Sequence, residues 1–384
     1  MSFRSHRIEG SGLLLSGIDL SHLDSRAKTH LRRNLLKWFD ANQRDLPWRR
    51  NKTAYRIWVS EIMLQQTQVV TVIEYYKRFL KRFPDVGKLA AADESQVLKL
   101  WEGLGYYRRA RQLHAAAKLV VQQHGSKFPT EFEEVLALPG IGRYTAGAIL
   151  SISGDQRLPI LEGNTIRVFS RLMLLDEDTT TRENQNELWA FSESLLPRKR
   201  TGDFNQALME LGSEICKRQN PLCSDCPIRL HCAARAHHRQ AEIPRPKKPP
   251  KYEEVNEAVI VVQNKDRVLM RLCGEDERWA GLWDFPRFPV TSRAAERQLS
   301  NNLHEATGLK TVVENCERTI KHAVTRFRIT LDCFRSTEIK GKLKRKTAYQ
   351  WVATKELADL PLSVTGRKVT KMVKAEYLVR RINR

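Results

Sequence analysis

Four cysteines fall within seventeen residues: Cys216, Cys223, Cys226 and Cys232, in the spacing C-x6-C-x2-C-x5-C. Pro221 and Pro227 bend the loops between them. Four thiolates closing short loops suit a tetrahedral zinc ion or a cubane iron–sulfur cluster, and ligand type alone does not choose between the two. The chain has seven cysteines, an odd number, so the crowding points to a metal site before it points to disulfides. Two carboxylates also stand out. Glu61 lies in the run Tyr55 to Gln68, where helical spacing puts it on one face with Ile57, Trp58, Leu64 and Gln65. A lone carboxyl among large apolar neighbours has its pKa raised, which suits a general acid. An ion pair with Arg49 or Arg56 would make it structural instead. Glu162, in Leu161-Glu-Gly-Asn-Thr165, precedes a helix expected from Ile166 to Leu174. A charge there commonly complements the helix dipole.

The third feature is Leu138-Pro-Gly-Ile-Gly-Arg-Tyr-Thr-Ala-Gly147, between two helical stretches. Gly140 and Gly142 permit a tight turn and let backbone N–H groups reach a phosphate at the next helix N-terminus. Followed by small residues in a basic protein, this is a helix-hairpin-helix candidate whose contacts would carry no sequence information.

These residues need scaffolding, and the pattern supplies it in two parts. From Ala27 to about His237 apolar residues recur at helical intervals, as in Leu31, Leu35, Trp38 and Phe39, or Val97, Leu98 and Trp101. Residues 243–251 carry four prolines and four basic residues, which marks an extended linker. Beyond it, Ala258–Val262, Arg267–Leu272, Phe327–Phe334 and Tyr349–Val352 have strand texture, and Ser292–Thr307 has helical texture. The expected organisation is an N-terminal arm over 1–26, a helical domain over 27–240 with its cysteine loop at 216–232, a linker over 241–254, and a smaller α+β domain over 255–384. With a net charge of +22 over 384 residues, the chain favours polyanions, because each neutralised phosphate releases counterions. No stretch approaches the roughly 20 apolar residues of a membrane helix, so the expectation is a monomer without membrane contact in a reducing, cytoplasmic compartment.

Six blocks name a family. Leu46–Arg49, Trp58–Gln68, Trp101–Tyr107, Leu138–Ala148, Phe204–Gly212 and the cysteine loop resemble, in order, the MutY adenine DNA glycosylases of the endonuclease III superfamily. The 6-2-5 cysteine spacing matches that superfamily's [4Fe–4S] loop, and Trp279–Pro286 resembles the family's Nudix-like C-terminal domain. The resemblance implies a mostly α helix-hairpin-helix core with an iron–sulfur loop, plus a smaller α+β Nudix-like domain. It implies removal of adenine from double-stranded DNA containing adenine opposite 8-oxoguanine or guanine. By the same resemblance Glu61 is the catalytic acid, and Asn164 stands beside Glu162 to orient it. Trp48, Arg49 and Glu210 line the adenine pocket, and Gln66, Thr67 and Tyr106 fill or wedge the space near the lesion pair. Related strand-cutting enzymes carry lysine where this chain has Tyr144, which cannot form a Schiff base. Base removal without strand cleavage is therefore expected. A target other than adenine, or DNA binding without catalysis, are the alternatives.

Two positions depart from the family. Its carboxylate before the Gly-Asn pair is aspartate, and here it is Glu162, longer by about 1.5 Å. Misplacement by about 1 Å can cost a hundredfold in rate, so a working but slowed enzyme is expected. The family's lesion-reading His-x-Phe-Ser-His is His322-Ala-Val-Thr-Arg326 here. Thr325 keeps a hydroxyl, Val324 loses an aromatic and Arg326 is a permanent cation, which implies weaker selectivity for 8-oxoguanine over guanine. The Glu-rich box of Nudix hydrolases is missing around 300–308, where only Glu305 remains. A recognition role is expected for this domain.

Overall fold

Helices in the first half begin where the chain offers caps. In the computed structural model, which describes residues 23–245, 251–290, 296–370 and 373, the Asp24 side chain accepts from Ala27 N at 2.7 Å and starts helix Ser25–Asn42. Most of the expected N-terminal arm, the middle of the linker and the start of the helix expected at Ser292 lie outside the described residues. Thr53 and Thr181 cap helices Ala54–Leu64 and Arg182–Leu195 in the same manner. Among the described residues no helix is long and apolar enough to cross a membrane.

The chain divides into two compact units, one of residues 1–80 and 119–248, the other of residues 81–118 and 249–384. The division differs from a simple cut at the linker, because residues 81–118 pack with the C-terminal half. The first unit is all helical. Helix Ala54–Leu64 runs through its interior, with Tyr55 and every residue from Ile57 to Met63 buried, as its nearly uninterrupted apolar sequence requires. It packs on helix Arg143–Gly154, which packs in turn on Thr201–Glu214. A core of Leu31, Leu35, Phe39, Phe169, Phe191, Phe204 and Leu208 fills the space below, and Cys216, Cys226 and Cys232 rest against it.

Three glycines let these elements approach backbone to backbone. A methyl group at Gly147 would meet Pro159 O at 2.5 Å, one at Gly212 would meet Asn164 Cβ at 2.6 Å, and one at Gly202 would collide with Ser151 O. Gly142 is different, since a Cβ there meets nothing within 4 Å.

The second unit is built on an eight-stranded sheet: β1 (Glu253–Asn264), β2 (Arg267–Leu272), β3 (Trp283–Asp284), β4 (Arg287–Pro289), β5 (Lys310–Val313), β6 (Arg318–Val324), β7 (Phe327–Lys340) and β8 (Tyr349–Ala353). β1 pairs in parallel with β7 from Glu253↔Phe327 to Val262↔Ser336, while the other pairings are antiparallel. Such a mixed sheet has two apolar faces to cover. Leu299 and Leu303 of helix Glu296–Thr307 cover one, and Leu357, Leu362, Val369 and Val373 cover the other. Cys273 and Cys333 are buried and Cys316 is half-buried.

The glycine contacts give an expected outcome. Gly202→Ala overpacks a rigid backbone contact and should cost about 1–3 kcal/mol, lowering the thermal midpoint, whereas Gly142→Ala should leave the DNA-free protein's midpoint unchanged. Differential scanning calorimetry of the two variants checks this, and equal midpoints for both contradict the packing argument.

Candidate active site

Helices Ala54–Leu64, Arg143–Gly154, Gly163–Met173 and Thr201–Glu214 enclose one cavity of about 550 Å³. Its wall includes Trp48, Arg49, Glu61, Gln66, Thr67, Tyr144, Glu162, Asn164 and Glu210, nine of the residues nominated from sequence. The space is of the order that small-molecule sites occupy.

Glu61 is buried, and its neighbour is neither Arg49 nor Arg56. Tyr144, in the first turn of its helix, donates its hydroxyl proton to Glu61 Oε2 at 2.7 Å and also lies 3.3 Å from Met209 Sδ. Burial pushes the Glu61 carboxyl up to about 7, the Tyr144 hydrogen bond pulls it down, and the charge of Glu162 pushes it up again. The hydroxyl of Tyr144 is held well above its ordinary range by burial and by the two carboxylates, so it stays a donor.

Glu162 caps its own helix. Its Oε2 accepts from Asn164 N and its Oε1 from Thr165 N, both at 2.9 Å, while Thr165 Oγ1 accepts from Glu162 N at 2.7 Å. This is a reciprocal capping box with glutamate at the cap position. The extra methylene lets the carboxylate fold back over the helix end with both oxygens occupied. Burial raises its pKa and the two amide donors oppose that rise. Asn164 is fixed from the other side, its Oδ1 accepting from Arg167 Nη2 at 2.9 Å.

Glu210 is the opposite case. Burial would raise its pKa, but Arg44 and Arg49 outweigh burial and hold it near 2. Arg44 donates through Nε and Nη2 to the two oxygens at 2.7 and 2.8 Å, and its backbone N adds a third bond at 3.1 Å. Arg49 Nη2 adds a fourth at 3.0 Å. Trp48 is buried in edge contact with Tyr76, ring centroids 5.5 Å apart. Arg44, Gln206 and Met209 also line the cavity and were missed from sequence. Gln206 and Met209 lie in the block Phe204–Gly212, four positions and one position before Glu210, which was the available signal.

Gly140 has φ 78° and Gly142 ends the hairpin as the cap of helix Arg143–Gly154, with no side chain capping that end. Its first N–H groups are therefore available to an external acceptor. Neither glycine lines the cavity. Tyr106, Thr325 and Arg326 belong to the other compact unit. Thr325 and Arg326 form the two-residue turn of the hairpin that pairs Val324 with Phe327. Thr325 has φ 52°, and Arg326 makes an exposed ion pair with Glu253 at 3.0 Å while lying over the Phe327 ring.

The four loop cysteines are half-buried and line a second, small cavity together with Arg171, Arg229 and Arg235. Burial pushes Cys226 up to about 12 and Cys232 to about 11, with repulsion from neighbouring sulfurs adding to both. Arg171 Nη1 donates to Cys216 Sγ at 3.2 Å. Among the described residues no group of three or more His, Cys, Asp or Glu side chains is drawn close enough to hold an ion. The sulfurs therefore mark out a shared pocket and not a closed coordination shell. Four soft donors lining one pocket beside cationic groups fit a thiolate-held centre in donor chemistry.

A family model described as HhH-GPD superfamily base excision DNA repair protein matches residues 59–194, and a NUDIX domain model matches residues 258–372. The structure of a thermostable thymine-DNA glycosylase superposes with a TM-score of 0.52 at 25 % identity, over 56 % of this chain and 99 % of that one. The adenine DNA glycosylase of rat is 45 % identical over 59 % of this chain, which spans 46 % of that protein's length. The human one is 42 % identical over 60 % of the chain, which spans 44 % of its length. The adenine DNA glycosylase of Buchnera aphidicola subsp. Schizaphis graminum is 38 % identical over 70 % of this chain and 78 % of its own. With that identity over that share of both sequences, and with both domain models in place, the chain belongs to the adenine DNA glycosylases, a family of N-glycosyl hydrolases.

Proposed function

We propose that this chain takes adenine out of double-stranded DNA in which it faces 8-oxoguanine or guanine, by hydrolysis of the N-glycosidic bond without strand cleavage. The observation that carries the reading is Glu61, a buried carboxyl that keeps its proton to about pH 7 at the wall of a cavity large enough for a base. The target base must leave the stack to reach it. Glu61 then gives its proton to the adenine ring, the C–N bond breaks with its electron pair passing to the base, and the sugar is left as an oxocarbenium ion. The carboxylates of Glu162 and Glu61 stabilise that cation, and Glu61 accepts a proton from the water that adds to it. Glu210, held anionic by Arg44 and Arg49, orients the base from the opposite wall. Tyr144 donates to Glu61 and offers no amine for a covalent adduct.

In this reading Gly142 is free of internal neighbours because a DNA phosphate takes the space, and the hairpin turn at Thr325-Arg326 faces the lesion strand. Cys216, Cys223, Cys226 and Cys232 would hold a [4Fe–4S] cluster, supported by their convergence on one pocket and the donor from Arg171. When bound, such a cluster cross-links the loop to the helical core and supplies local charge. The C-terminal domain, lacking the hydrolase box, serves recognition.

Three measurements test this reading. First, single-turnover adenine release should fall as pH rises through about 7, where Glu61 loses its proton. Because the Tyr144 hydroxyl holds the Glu61 pKa down, Tyr144→Phe should move the falling limb to higher pH; a limb that stays in place removes Glu61 as the titrating acid. Second, Glu162→Asp frees the carboxylate from its long backward fold and should raise the rate, by up to about a hundredfold, while Glu162→Gln should lower it at least tenfold. Equal rates in parent, Asp and Gln exclude this carboxylate from catalysis. Third, duplexes pairing adenine with 8-oxoguanine, guanine or thymine should give alkali-labile sites for the first two only. The triple change Val324→Phe, Thr325→Ser and Arg326→His should widen the preference for the oxidised pair, and an unchanged preference counts against the hairpin as the lesion reader.

A further inference from the structure

Residues 102–107 connect helix Glu94–Trp101 to helix Arg108–His124, and Tyr106 sits in this turn with φ 49°, just after Gly103 and Gly105 at 101° and 71°. The left-handed region is unfavourable for an aromatic L-residue, so its surroundings must hold it there. Some of the restraint is local. Trp101 Nε1 donates to Gly105 O at 3.2 Å, and the Arg109 guanidinium lies over the rings of both Trp101 and Tyr106, 5.6 and 5.3 Å from their centroids.

The rest comes from residues 357–367, in the same compact unit. Arg367 Nε and Nη2 donate to the two carboxylate oxygens of Glu102 at 2.6 and 2.8 Å. Its Nη1 donates to Leu357 O and its Nη2 to Leu360 O, both at 2.8 Å. Tyr107 donates its hydroxyl proton to Leu362 O at 3.3 Å. Gly281, with φ 79°, sits so close to Glu94 Oε1 and Leu98 that a Cβ would stand 3.0 Å from each. A bidentate guanidinium with its remaining donors anchored on carbonyls fixes direction as well as charge. Glu102, the first residue of the turn, is therefore held by the C-terminal domain together with Lys99, whose Nζ donates to its Oε2 at 3.1 Å.

We propose that Arg367 is a positioning residue for Tyr106, so that the Nudix-like domain sets the geometry of the wedge through Glu102. The proposal rests on the reading that Tyr106 enters the opened duplex. Losing Arg367 leaves Tyr106 in place chemically but lets the turn relax from its left-handed conformation. The expected defect is in recognition of the mispair and not in the bond-breaking step.

The experiment uses the full chain with duplexes carrying 2-aminopurine next to the mispair, whose fluorescence reports unstacking, together with Kd by anisotropy for mispaired and matched DNA. Tyr106→Ala, Arg367→Met, Glu102→Gln and the double variant Tyr106→Ala/Arg367→Met are compared, with melting curves for each. The expectation is that Arg367→Met and Glu102→Gln each lose about tenfold of the discrimination between mispaired and matched DNA and share the fluorescence change of Tyr106→Ala. The double variant should be no worse than Tyr106→Ala alone. If Arg367→Met does not fold, Glu102→Gln, which removes the charge without changing volume, carries the comparison. Additive losses in the double variant, or parental behaviour of the folded Arg367 and Glu102 variants where Tyr106→Ala is impaired, overturn the proposal. A parental Tyr106→Ala instead overturns the wedge reading beneath it, so the two failures are told apart.

Discussion

The helical unit depends on backbones meeting where no side chain fits. Gly147 against Pro159, Gly202 against Ser151 and Gly212 against Asn164 bring the chain after helix Arg143–Gly154, that helix itself, and the start of helix Gly163–Met173 within reach of one another. Of these residues Asn164 lines the cavity. The contact at Gly212 has a particular consequence: it presses helix Thr201–Glu214 onto Asn164, two residues beyond Glu210 and two beyond Glu162. Interiors packed at crystal-like density transmit such constraints without slack. A larger residue at Gly212 therefore pushes against Asn164, beside Glu162.

Given that frame, three glutamates on one cavity take three electrostatic states. Glu61 has burial and a neighbouring negative charge against a single tyrosine donor, and is raised to about 7. Glu210 is buried too but faces two guanidinium groups, and falls near 2. Glu162 is raised by burial, which its amide donors only partly offset. Environments that push like groups apart in this way divide the acid from the anion. The sign matters for stability too. Glu210 favours the folded state above the ordinary carboxyl range and loses that contribution as pH falls toward 2, whereas burying Glu61 becomes more costly as pH rises toward 7. Near neutral pH the raised Glu61 carboxyl is therefore a cost to the folded state.

The chemistry-bearing residues were legible because each carried a local signal: cysteine spacing, the Gly-x-Gly turn, and a carboxyl among apolar neighbours. The raised state of Glu61 followed from that signal, yet its hydrogen-bond partner did not, since Tyr144 lies 83 residues away. Arg44 had no signal at all, being paired with Glu210 across 166 residues. In the C-terminal half, β1, β2, β7 and β8 announced themselves by β-branched or alternating runs. β3 and β4 are two and three residues long, and β6 alternates exposed polar residues with few apolar ones, so periodicity had little to act on. The grouping of residues 81–118 with the C-terminal half was also illegible, for it rests on hydrogen bonds such as Arg367 to Glu102, separated by 265 positions.

Backbone conformation is the deepest of these hidden layers. Gln66, Tyr106 and Thr325 were singled out by resemblance as residues near the lesion pair, and all three are non-glycine residues with positive φ, at 55°, 49° and 52°. Nothing in their side chains favours that conformation, so each must be over-determined by its neighbours. For Gln66 the restraint is the junction of two helices, where Thr67 N donates to Leu64 O at 3.2 Å. For Thr325 it is the two-residue hairpin turn, whose twist calls for positive φ. For Tyr106 the turn itself, with its two glycines, is permissive in both directions and does not select one conformation. There the restraint comes partly from far along the chain, through Arg367 on Glu102 and Tyr107 on Leu362 O.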